Sequence, residues 1–302
     1  MTRKHFSVPR ASFMPAAMLT LGIMLGIAPR AMAQPESTLG TFTTIDVPGA
    51  SRSQARSLNT RGDIVGFYTA GTVHGFLRSR YGEPIPIDFP EADSTMALGI
   101  NSQGDIVGLY NSGGKQHGFL KTSDGMFSSL DFSSSATSTS AWGINARGDI
   151  VGAYTAGGTT HGYIRDKNGN FSSFDVSDAN FTSLYAINDQ GVIVGQYGGG
   201  GTTHGFVLNQ AGGFRSFDVP GPINTGTGTQ TRGISERGDI VGWFMTPDGK
   251  RHGFLLSQGQ FTFIDYSSVI IGTDTDGINS ETDMVGGYDG VDGKHHAYVL
   301  TR

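Results

Sequence analysis

One phrase recurs along this chain and constrains its fold more than any other feature. "RGDIVGAYTAGGTTHGYI" at 147–164 returns as "RGDIVGFYTAGTVHGFL" at 61–77, "QGDIVGLYNSGGKQHGFL" at 103–120 and "QGVIVGQYGGGGTTHGFV" at 190–207. It returns again as "RGDIVGWFMTPDGKRHGFL" at 237–255 and, more divergent, as "TDMVGGYDGVDGKHHAYV" at 282–299. The histidines fall at His74, His117, His161, His204, His252 and His296, and an Asp between apolar residues keeps step at Asp46, Asp88, Asp131, Asp175, Asp218 and Asp265. A unit of this size cannot bury a core alone, so the six copies must pack on one another.

Each copy reads as four short strands. The first ends in "GIN" or a variant ("RSLN" at 56–59, "WGIN" at 142–145), and "DIVGFY", "HGFLR" and "IPIDF" or "SSFDV" follow. Between the first two lies Asn-x-x-Gly, as in Asn145, Ala146, Arg147 and Gly148. Asn suits the first position of a type I turn, and Gly accepts the positive φ at which such a loop closes. Both faces of "DIVGFY" are apolar or small, as in a sheet covered on both sides. Four antiparallel strands per repeat of 40–50 residues is the pattern of a β-propeller blade. The sixth copy stops after its third strand, "HHAYVLTR", and the repeats are preceded by an orphan fourth strand, "TFTTIDV" at 41–47. The expected fold is therefore all-β, a six-bladed β-propeller of four-stranded antiparallel blades closed by the N-terminal strand, with no free edge.

The phrase Gly-Ile-Asn-x-x-Gly-Asp-Ile-Val-Gly, followed by His-Gly-Phe or His-Ala-Tyr, resembles the family of extracellular repeats named for a His-Ala-Phe (HAF) signature. The resemblance covers residues 41–302 and occurs six times. It implies a secreted bacterial protein and carries over no catalytic residue. The departures are Val192 for Asp, Ser235 for Asn, Thr282 for Gly, and Gly for Ala in five of the six His-Ala-Phe positions.

The N-terminus fits secretion. Arg3, Lys4 and Arg10 precede an apolar run from Phe13 to Ile27, and Ala31 and Ala33 supply the small residues of a cleavage site. The expectation is a signal peptide at 1–33, a mature chain from Gln34 with no membrane span, a linker at 34–40 and one domain at 41–302. The destination is periplasmic or extracellular. All 26 acidic residues lie beyond residue 33, against 17 of the 21 basic ones, a balance of −9 that argues against nucleic acid. The absence of cysteine excludes disulfides, thiol catalysis and Cys-ligated metal. No cofactor is expected, and a monomer is.

Features present in every copy belong to the scaffold. The Arg-Gly-Asp triplets at 61–63, 147–149 and 237–239 place Gly in a turn and Asp at a strand start, so they read as turns and not adhesion loops. The six histidines sit at equivalent places around an axis, too far apart to share an ion, and read as ties within each blade through an Asp or a carbonyl. Asp274, Asp276, Asp289 and Asp292 crowd the last copy without the spacing of a calcium loop, and read as solvated loop acids.

Function is sought where the copies differ. Aligned on their Asn, the first strands vary in the column Arg56, Leu98, Trp142, Tyr185, Arg232 and Asp276. This column is expected where the chain enters the innermost strand, at the mouth of a central channel. Trp142 and Tyr185, with Arg56, Arg232 and Asp276, form a candidate site for a small-molecule, glycan or peptide ligand; uneven packing is the competing account. The longer connection 220–232 is expected on the same face. The reading is a secreted, non-catalytic binding or scaffolding propeller. The alternative is an extracytoplasmic hydrolase or lyase acting on polysaccharide or peptide, for which the unrepeated His295, near Asp292, is the available base.

Overall fold

The computed structural model describes residues 39–221, 228–266 and 272–302. The expected signal peptide, residues 34–38 of the linker and residues 222–227 of the long connection lie outside the described residues. The described chain is all-β, with strands that pair antiparallel in groups of four. In the first group Arg52–Leu58 pairs with Ile64–Ala70, that with Thr72–Arg78, and that with Ile85–Ile87. The other repeats follow the same order, and the last takes its fourth strand from the N-terminus. Thr41–Thr44 runs antiparallel to His295–Thr301, from Thr41 opposite Thr301 to Thr44 opposite Tyr298.

The Ile-Val-Gly of the second strands, Met-Val-Gly in the last, explains why both of their faces are apolar. Ile150 packs in its own unit, beside Tyr154 and Tyr163, whereas Val151 packs in the next core, with Leu184, Ile193 and Phe206. The same alternation carries Val285 of the last unit into the first, against Ala55, Ile64 and Phe76. The glycine leaves room for the ring of the third strand. A Cβ on Gly152 would overlap the Ser140 carbonyl oxygen and lie 2.6 Å from the Tyr163 ring.

The repeated Asn holds a turn and joins two units. Asn145 Oδ1 accepts from the amides of Arg147 and Asp149, both at 3.0 Å. Its Nδ2 donates to Asp149 at 3.1 Å and to the Asn188 carbonyl of the next unit at 3.3 Å. Asn59 reaches Asn101, Asn101 reaches Asn145, Asn188 reaches Ser235, and Asn279 reaches back to Asn59. Ser235 holds its own turn through Oγ but has no amide to extend to Asn279. Replacing Ser235 by Asn is therefore expected to stabilise the protein by about 0.5–1.5 kcal/mol. An unchanged denaturation midpoint would show that the extra bond does not form.

Two of the Arg-Gly-Asp triplets are bonded internally, as expected of turns, and the third is held by the Ser235 hydroxyl. Arg61 Nε donates to Asp63 at 2.9 Å and Arg147 Nε to Asp149 at 3.0 Å, and Arg61 also reaches the Ser102 carbonyl of the next unit.

Each repeated histidine ties its third strand to the segment after the fourth. Nδ1 meets the Asp at 3.0 Å in His74–Asp88, His117–Asp131 and His161–Asp175, and at 2.9 Å in His204–Asp218 and His252–Asp265. The sixth pair, His296–Asp46 at 2.6 Å, joins the two ends of the chain. The imidazoles also stack on the second strand, as His161 does on Tyr154 at 5.1 Å. His161→Ala and His117→Ala are each expected to cost about 1–3 kcal/mol, since each leaves a carboxylate without its partner. Urea denaturation measures it, and an undiminished midpoint would contradict the structural role.

Two of these pairs also set a pH dependence. The hydrogen bond that His252 donates to Asp265 raises the imidazole above its ordinary value. In His296 burial works downwards, but Asp46 and Asp292 outweigh it and the net shift is upwards. A histidine with a raised folded-state pKa binds protons more tightly when folded. Its contribution is thus complete below the unfolded value of about 6.5 and is lost as pH rises through the folded value. Melting temperature is expected to fall as pH rises from 6.5, and to fall less in His296→Gln.

Candidate ligand site

The variable column is the column of β-bulges. In the first strands the register slips between Ala55 and Ser57, Ala97 and Gly99, Ala141 and Gly143, Leu184 and Ala186, Thr231 and Gly233, and Thr275 and Gly277. The residue left unpaired each time is Arg56, Leu98, Trp142, Tyr185, Arg232 or Asp276. A bulge re-aims the side chain it carries, and here these six residues line one cavity of about 110 Å³.

The five candidate residues touch in sequence. The Arg56 guanidinium lies 5.3 Å from the Trp142 ring centre, Trp142 lies 5.0 Å from Tyr185, and Tyr185 lies 4.4 Å from the Arg232 guanidinium. Arg232 Nε is 3.6 Å from Asp276 Oδ1, and Asp276 Oδ2 is 3.1 Å from Arg56. Asp276 is only 1% exposed; burial pushes its carboxyl up while Arg56 pulls it down, and the net direction is upwards. The aromatics are therefore partly exposed walls whose cation–π partners come from the same column.

The structure corrects four expectations. The column lies in the second half of each first strand, not at its entry, and the cavity is lined also by Thr60, Ser102, Ala146, Asp189, Glu236 and Ser280 of the Asn turns. Arg52 pairs with Thr69, so the loops between second and third strands, and the start of the strand Thr229–Ile234, lie at the opposite end from these turns. The acids of the last repeat are not all solvated loop groups. Asp274 is buried and accepts from Arg251 at 2.9 Å and from Gln54 at 3.0 Å. Lastly, Asp292 faces the repeated His296 at 3.0 Å, and the partner of His295 is Asp289 at 2.7 Å.

His295 belongs to a network that the sequence reading missed. Its Nδ1 meets Asp289 and its Nε2 meets Gln54 Oε1, while Gln54 Nε2 donates to Asp276 at 2.6 Å. Arg251 joins Asp274 to Asp289; in Arg251 burial is outweighed by Asp274, and in Asp289 burial is outweighed by His295 and Arg251. A signal was present in the column before each repeated His: Val73, Gln116, Thr160, Thr203, Arg251 and His295. Three of these residues reach the next unit two residues before its bulge, Gln116 to Ser140, Arg251 to Asp274 and His295 to Gln54. Among the described residues no group of three His, Asp or Glu side chains is arranged to hold a metal ion.

No protein-family model matches the chain, and no curated protein matches it. Among solved structures, a TolB candidate from Agrobacterium tumefaciens is similar with a TM-score of 0.60 and 13% identity, over 82% of this chain and 89% of that one. TolB from Acinetobacter baumannii gives 0.52 and 12%, over 84% and 65%. A catalytically inactive virginiamycin B lyase from Staphylococcus aureus, with quinupristin, gives 0.50 and 12%, over 85% and 88%. At such identities the likeness concerns the fold alone, and the fold that these structures share with this chain is the β-propeller.

Proposed function

We propose that this chain is a secreted, non-catalytic binding or scaffolding protein, a six-bladed propeller closed by its N-terminal strand, that takes the end of a glycan or peptide in the cavity at the Asn-turn end of its channel. One observation carries the reading: the column that varies between repeats is the column of bulge residues, and all six line one cavity. A packing irregularity would have no reason to collect there two partly exposed aromatics, two guanidinium groups and a buried carboxylate. Export rests on the basic, apolar and small-residue segments of 1–33. The hydrolase or lyase reading stands second. Its base would be His295, but both ring nitrogens face acceptors and the side chain is 8% exposed.

The test uses exported protein, whose intact mass should lack residues 1–33. Sugars and peptides are screened by thermal shift, since a ligand of the folded state raises its apparent stability. Trp142→Ala should then weaken binding by about 1–3 kcal/mol, as loss of an aromatic anchor does. A stability loss of about 3–5 kcal/mol with unchanged affinity would make the column ordinary packing.

A further inference from the structure

The cavity carries opposite charge at its two depths. At the floor, Arg56 and Arg232 face the single carboxylate of Asp276. Arg56 uses only Nη1 on it, and Arg232 uses only Nη1 on Gln196 and the Thr231 carbonyl. Most of the five N–H donors on each guanidinium therefore bond nothing among the described residues. At the rim, Asp189 and Glu236 come from adjacent units, and Glu236 accepts the Asp189 amide at 3.1 Å. Burial, and the carboxylate of Asp189 beside it, hold Glu236 above the ordinary range despite the Asp189 amide and the nearby Arg147. Arg147 is paired with Asp149 at 2.8 Å and also donates to the backbone carbonyl of Asp189, leaving the Asp189 and Glu236 carboxylates without a side-chain cation of their own among the described residues. The rim residues Thr60, Ser102, Ala146 and Ser280 are uncharged.

We infer that the ligand is a short peptide with both ends free, its carboxylate on Arg56 and Arg232 and its ammonium between Asp189 and Glu236. This rests on the binding reading above and names its ligand class. The guanidinium donors suit a carboxylate, which accepts two parallel N–H bonds. The paired rim acids suit a cation, because like charges side by side are relieved by one placed between them. The depth also fits. Glu236 is four residues beyond Arg232, and with a rise of about 3.3 Å per strand residue and a turn after Ile234 the two levels are roughly 10 Å apart. An extended tripeptide spans about the same length. Trp142 and Tyr185 stand at the floor level between the two arginines, where they flank the carboxylate end of the peptide. A neutral sugar would leave both charged levels without counter-groups.

The probes are trialanine, N-acetyl-trialanine, trialanine amide and glucose, titrated calorimetrically into the exported protein. Trialanine is expected to bind, and acetylation or amidation each to weaken binding by about tenfold or more, the loss of one charge-assisted contact. Glu236→Gln keeps the acceptor for the Asp189 amide and removes only charge. It should weaken trialanine about tenfold and leave N-acetyl-trialanine unaffected. Equal affinity for the free and acetylated peptides, or indifference to Glu236→Gln, overturns the inference. Glucose binding that is lost in Trp142→Ala, without peptide binding, overturns the peptide assignment and leaves the channel site standing. Binding of neither class removes both.

Discussion

A protein lacking residues 34–48 is expected to be unfolded or aggregated under conditions in which the parent melts cooperatively. The deletion removes the strand Thr41–Thr44 from its ladder with His295–Thr301, and with it the bond from the Ile45 amide to the Ala297 carbonyl at 2.9 Å. Leu39 and Ile45, each 4% exposed, leave the core. Phe42 leaves its contacts with Tyr266 at 5.1 Å and Tyr298 at 5.2 Å. Thr44 Oγ1 no longer bridges the hydroxyls of Tyr266 and Tyr288, both at 2.8 Å, and His296 loses Asp46. Burial of Leu39 and Ile45 alone is worth about 1.5–3 kcal/mol each, and with the partly buried Phe42 the loss is comparable to the lower part of the roughly 5–15 kcal/mol that holds a domain together. The last unit would also present an open strand edge to other molecules. Melting curves and size-exclusion chromatography decide the matter; a truncated protein as stable and monomeric as the parent would refute closure by this strand.

Asp276→Ala is expected to be the most damaging point substitution among the candidate site residues, at about 3–5 kcal/mol, the cost of leaving buried charges unpartnered. The carboxylate receives Arg56 at 3.1 Å and Gln54 at 2.6 Å, and Arg232 stands 3.6 Å from its other oxygen. Its removal leaves two guanidinium groups without the carboxylate they share. Arg56→Ala and Arg232→Ala each remove one cation and leave the carboxylate a partner, so each should cost less. Chemical denaturation of the three variants tests this order. A loss for Asp276→Ala no greater than that for either arginine would mean that the floor is hydrated and screened, not a closed ion cluster.

The repeat period and the alternation within it made the all-β class, the four-stranded units, the turn role of Asn-x-x-Gly and the His–Asp ties readable from the chain. These are local, and each recurs in the same setting, so the physical reason for one copy serves for all. The long-range pairing of Thr41–Thr44 with His295–Thr301 was readable too, because an unpartnered fourth strand at one end matches a missing one at the other.

The site was half readable. Variation singled out Arg56, Trp142, Tyr185, Arg232 and Asp276, but not which end of the channel they occupy. That depends on a bulge, a slip of one residue in pairing that alternation of residue types does not record. Nor could sequence order join Gln54 to His295, or Asp276 to Arg56, residues 241 and 220 positions apart. The sequence alone determined the unit and its repetition, because hydrogen-bonded strands, tight turns and buried apolar faces follow from neighbours a few residues away. Only the tertiary structure decided that the six bulge residues share one cavity with an acidic rim and a cationic floor. Their meeting follows from how the units pack side by side, and the charge on each residue then depends on partners brought in by other units.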